Sequence, residues 1–87
     1  MSEALLPLRV MVQDVWNAVE LAFDPAHTVA ELKQAALLRS HVRRDPSGYV
    51  VKYRGAELFD EAGSLAQAGI VPNANLIVMP RRRRPVR

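Results

Sequence analysis

Two histidines (His27 and His41), a lysine inside a helix-forming run (Lys33), an acidic pair (Asp60-Glu61) and the arginines from Arg81 onward are the side chains that could do chemistry. A covalent nucleophile needs a neighbouring base and a third group to orient it. His27 precedes, and His41 follows, a segment that reads as a helix, so the two fall near its opposite ends. Neither shares a local motif with Ser2, Ser40, Ser47 or Ser64. Two histidines without cysteine fall short of a structural zinc set. The glycines stand singly at 48, 55, 63 and 69, so no glycine-rich phosphate loop is present. Asp60-Glu61 reads as a solvated loop pair. The expectation is a non-enzyme with no catalytic residue, no cofactor and no metal.

The arginines suggest binding instead. The formal net charge is +3, yet residues 81–87 hold five arginines and no acid, and the other eighty residues carry seven basic and nine acidic side chains. The body is therefore near neutral and the basic character sits in a tail. Arg81, Arg82, Arg83, Arg84 and Arg87 suit the phosphates of nucleic acid, an anionic membrane, or the steering of an acidic protein partner. Against specific nucleic-acid recognition stand the lack of aromatic residues among the arginines and the lack of an evident basic folded face. Arginine outnumbers lysine ten to two, which genome composition alone can produce.

The elements that must carry these residues are legible from periodicity. Eighty-seven residues allow one core. No apolar run approaches the ~20 residues that span a bilayer, and no signal-peptide pattern opens the chain. With no cysteine, disulfides are excluded, which permits a cytoplasmic location. Residues 1–7 read as a flexible leader, 8–80 as the folded domain and 81–87 as a flexible tail. Leu8 to Gln13 alternates at period two, as does Ala18 to Phe23, and the polar break between them predicts a hairpin with Trp16 at its tip. Trp16 is expected either to fold over the hairpin's end or to stand out as an aromatic anchor. Thr28-Val29-Ala30-Glu31 fits a capping box opening a helix to about Arg39 or Ser40. Val29, Leu32, Lys33 and Ala36 share one face of that helix, with Leu37 at its edge and Leu38 opposite.

From Tyr49 the chain shows a β-branched and aromatic run to Tyr53, a break at Arg54-Gly55, and a short piece from Ala56 to Phe59. A polar loop with one turn at Ser64 to Ala68 follows, then a closing run, Leu76 to Met79. This ordered set resembles the ubiquitin-like family. Tyr53-Arg54-Gly55-Ala56-Glu57-Leu58 is similar to its aromatic-x-Gly-x-x-Leu hairpin, and Asp60 to its loop acid. Ser64 to Ile70 is similar to its Ser/Thr-Leu-x-x-x-x-Ile loop. The resemblance spans Leu8 to Met79 and implies an α+β ubiquitin-like β-grasp, a mixed four- to five-stranded sheet with one helix packed across one face. Its first and last strands would lie parallel at the centre. The expected core is Val10, Val12, Val19, Leu21, Phe23, Val29, Leu32, Ala36, Val51, Leu58, Leu65, Ile70, Leu76 and Val78. Lys33 can lay its stem along that core, and the resemblance implies an ion pair with Asp60, or else a nearby loop carbonyl.

The sheet face away from the helix should carry Arg9, Met11, Val50, Lys52, Ile77 and Met79. The family meets its receptors through an apolar patch on this face. Lys52 stands where ubiquitin has its central patch isoleucine and Ile77 where it has a histidine, while Met79 stays apolar. Standard ubiquitin receptors should not recognise such a patch. The plainer expectation is that Ile77 and Met79 are ordinary exposed strand residues. The resemblance further implies a monomeric, non-conjugated bacterial protein-binding subunit, as in type VII secretion loci. The other implied role is a covalent modifier or sulfur carrier, whose tail ends Gly-Gly; here Arg84-Pro85 stands at those positions, so that role needs an unseen or processed C-terminus.

Overall fold

A computed structural model describes residues 5–81 of the chain. Five strands and one helix follow in the order β1 (Leu6–Val12), β2 (Asn17–Phe23), α1 (Val29–Arg39), β3 (Tyr49–Tyr53), β4 (Ala56–Glu57) and β5 (Ala74–Pro80). The strands form one sheet in the order β2-β1-β5-β3-β4. β1 and β5 run parallel at its centre, with Val10 opposite Leu76 and Val12 opposite Val78. All other pairings are antiparallel. The α+β β-grasp expected from the sequence is the fold observed.

Alternation places one residue of each strand pair inward. Leu6, Leu8, Val10 and Val12 from β1 meet Leu76 and Val78 from β5 and Val51 from β3, and Val29, Leu32, Ala36 and Leu37 of α1 close over them. Twelve of the fourteen expected core residues are buried, whereas Phe23 and Leu58 lie partly buried at the rim. Leu6, Leu8, Leu37, Tyr49 and Ala74 complete the core. The first strand begins two residues before the expected start: Leu6 and Pro7, assigned to a leader, pair with Phe23 and Ala22. Residues 1–4 of that leader lie outside the described residues.

The loop from Asp60 to Ile70 wraps the start of the helix. The first amides of a helix have no partner within it; here Val29 donates to the Gly63 carbonyl at 3.1 Å and Ala30 to that of Glu61 at 2.9 Å. The Thr28 hydroxyl accepts from the Glu31 amide at 3.1 Å, and the Glu31 carboxylate accepts from the Thr28 amide at 2.9 Å. Ser64 and Gln67 repeat that reciprocal arrangement in the loop's single turn. At the helix end His41 adopts φ 61° and Val42 donates back to the Leu37 carbonyl at 2.9 Å, a Schellman closure. Arg54 and Gly55, both at positive φ, make the two-residue turn between β3 and β4.

The cap gives the first prediction. Thr28→Ala should lower stability by ~1 kcal/mol in urea unfolding. The Thr28 amide, and then the His27 ring beside it, hold the Glu31 carboxyl below its ordinary pKa. A carboxyl depressed in the folded state stabilises the fold above its unfolded pKa and loses that contribution as pH falls through the folded one. The stability gap between the protein and Glu31→Gln should therefore be open at neutral pH and narrow below about pH 4.5, read by thermal unfolding across that range.

Candidate interaction surface

Because the helix covers one face of the sheet, the residues alternating with the core point away from it. The strand register sets Met11 opposite Ala18 and Ile77, Ile77 opposite Lys52, and Lys52 opposite Glu57, so one row crosses all five strands. Met79 and Val50 form the next pair. Ile77 is 42% exposed, and Met11, Lys52 and Met79 are half-buried. Arg9 and Glu20 pair at 3.1 Å on the β1–β2 side, both well exposed.

Val50 departs from the expectation of an exposed contact residue, being buried on the face away from the helix. Arg81, which follows β5, is held by three contacts. Its amide donates to the Gly48 carbonyl at 2.7 Å and its guanidinium reaches the Ser47 carbonyl and, at 3.9 Å, the Glu57 carboxylate. Gly48 precedes β3 and Glu57 lies on β4, so these contacts join the end of β5 to the β3–β4 hairpin. Arg81 is thus a clamp on the sheet and not a free tail residue. Arg82, Arg83, Arg84 and Arg87 lie outside the described residues.

Lys33 is 3% exposed, as its place on the apolar face implies. Its ammonium donates to the Glu61 carboxylate at 2.7 Å and to the Tyr49 carbonyl at 3.0 Å. The carboxylate partner is therefore Glu61 and not the expected Asp60, which is exposed. The loop turns so that the Glu61 carbonyl caps the helix, which carries its side chain toward Lys33, one residue beyond the position the resemblance suggested. His27 and His41 stand at opposite ends of α1; His27 faces Glu31 at 3.0 Å and packs edge-on against Phe23. Among the described residues no three His, Asp or Glu side chains gather where a metal would bind, and no helix is long and apolar enough to cross a membrane.

No protein-family model and no curated protein matches the chain. Solved structures do. Caldiarchaeum subterraneum ubiquitin superposes with a TM-score of 0.76 at 15% identity, over 92% of this chain and 98% of that one. The ubiquitin-like domain of an Arabidopsis thaliana protein gives 0.75 at 18% identity, over 95% and 84%. The ubiquitin-like domain of Plasmodium falciparum Dsk2 gives 0.73 at 19% identity, over 90% and 100%. At these identities the likeness establishes the fold: this chain is a ubiquitin-like β-grasp.

Proposed function

We propose that this chain is a non-catalytic protein-interaction module that docks an acidic protein partner on the open sheet face. The apolar row of Met11, Ile77 and Met79 carries the proposal, because it is exposed or half-buried and lies beside the cations Lys52 and Arg81. Buried apolar side chains at the centre of an interface govern dissociation, while surrounding charges act on association. Four further arginines follow Arg81 in sequence. A finer reading is a small subunit or adaptor of a bacterial assembly such as a secretion system. In this finer reading it acts by non-covalent docking of the sheet face.

The test is surface-based kinetics with the partner recovered by affinity capture. Ile77→Asp and Met79→Asp should each speed dissociation at least tenfold, an expected loss of ~1.4 kcal/mol or more. Removing residues 82–87 should slow association and flatten its salt dependence, because exposed charges are screened within ~8 Å at physiological salt. Unchanged dissociation in both substitutions rejects the sheet face as the site.

A further inference from the structure

One end of the domain carries features that the sheet face does not explain. The connection from α1 to β3 begins beside β2, where the Ser40 hydroxyl accepts from the Asn17 side chain at 3.3 Å. It finishes beside β5, where the Gly48 carbonyl accepts from the Arg81 amide. Since β2 and β3 lie on either side of β1 and β5, this connection crosses the whole end of the sheet. It carries Arg43 and Arg44 between the tip of the β1–β2 hairpin and the point where Arg81 leaves β5. Arg39, in the last turn of the helix, joins them. Arg39, Arg43 and Arg44 are exposed and have no ion-pair partner among the described residues. Asp45, in the same connection, has its carboxylate occupied by the Ser47 amide. Four further arginines follow Arg81 in sequence.

The hairpin tip supplies an aromatic ring beside this basic row. Trp16 has φ 51° and closes the turn by donating its amide to the Gln13 carbonyl at 3.2 Å. A hairpin position with left-handed backbone favours glycine or asparagine, and a bulky residue there is strained. Burial does not offset that strain, for the residue is 74% exposed. Neither the turn nor the core accounts for a tryptophan at this place. A strand spacing of ~4.8 Å puts the tip within roughly 15 Å of Gly48 at the far side of the row.

We infer that this end of the domain binds single-stranded nucleic acid, with Trp16 stacking on a base and Arg39, Arg43 and Arg44 holding successive phosphates. An indole ring presented at the tip of a turn can stack only on a base that is unpaired. Guanidinium groups match phosphate oxygens as planar forks. Stacking platforms flanked by arginine are the general means of binding single strands without sequence preference. Arg43 and Arg44 sit on a connection that crosses the sheet end, a linear path that suits a strand better than a membrane surface.

The chain contains one tryptophan, so its emission reports the site directly. Oligothymidylate of about 12 nucleotides should quench it saturably, with a log-log salt slope of about −0.7 per phosphate neutralised, roughly −2 for three arginines. Followed by anisotropy of a labelled oligonucleotide, Trp16→Ala should weaken binding about tenfold at unchanged slope, and Trp16→Phe should restore most of the loss. Arg43→Gln with Arg44→Gln should reduce the slope by about 1.4. Met79→Asp should leave all of this unchanged, which separates the site from the sheet face. A blue-shifted emission with phosphatidylserine vesicles and no quenching by oligothymidylate overturns the inference in favour of a membrane surface. Equal oligonucleotide affinity for the protein and Trp16→Ala, or no response to either ligand, overturns it outright.

Discussion

Leu65→Ala should lower the stability of this domain by about 3 kcal/mol or more, a large part of the roughly 5–15 kcal/mol that holds a small domain folded. Leu65 is fully buried although it sits on a loop turn. Its side chain is the plug that the Asp60–Ile70 loop inserts beneath the helix start. Truncation costs most where the surroundings cannot collapse into the vacated space, and this loop is held on both sides of the plug. The Leu65 amide donates to the His27 carbonyl at 2.8 Å, that of Ala66 to Pro25 at 3.1 Å, and that of Ile70 back to Leu65 at 3.1 Å. Urea unfolding measures the loss as a lower midpoint. The exposed neighbour Ala66→Ser should shift it by less than ~0.5 kcal/mol. If both substitutions give the same small change, the loop is not anchored through Leu65.

Glu61→Ala should cost about 2–4 kcal/mol, whereas Asp60→Ala should stay near the ~0–1 kcal/mol of a surface charge. The difference follows from what each leaves behind. Removing the Glu61 carboxylate strands the Lys33 ammonium in a 3% exposed position with the Tyr49 carbonyl as its remaining acceptor. The loss falls toward the low end because the Glu61 side chain is itself 23% exposed, so water relieves part of the penalty. Lys33→Met keeps the apolar stem and removes the charge together with its need for a partner, and should cost less than Glu61→Ala. Chemical denaturation of the three variants ranks them. A larger effect at Asp60 than at Glu61 would reverse the assignment of the pair.

The elements were legible where a strict period or a local signal specifies them. Thr28 to Glu31 announces its helix because reciprocal capping needs those residue types at that spacing. Val10 and Val12 announce a strand by alternating with Arg9 and Gln13, and Leu76 to Met79 by a short apolar run bounded by turn residues. The errors arose where neighbours distant in sequence decide. Val50 alternates outward as read, but whether it meets water depends on what the neighbouring strands lay beside it, which no period in its own segment encodes. Glu61 and Asp60 are equivalent as loop acids until the carbonyl of Glu61 is committed to Ala30. Trp16 offered no periodic context at all, and only the backbone shows that it stands out. Arg43 and Arg44 read as an isolated pair; the topology sets them on the connection that crosses the sheet end.

The central position of β5 bears on how the chain becomes a domain. Within the order β2-β1-β5-β3-β4, β5 alone touches both β1 and β3. Until it arrives, the β1–β2 hairpin and the β3–β4 hairpin are separate pieces that share only the helix between them. The closing contacts join segments near the two ends of the described chain, so most loop-closure entropy must be spent before the sheet rewards it. Folding should therefore be governed by a late, long-range docking step, with Val10–Leu76 and Val12–Val78 contacts forming as one event. A nascent chain that stops short of Ala74 keeps two unpaired strand edges, of the kind that invite association with other chains.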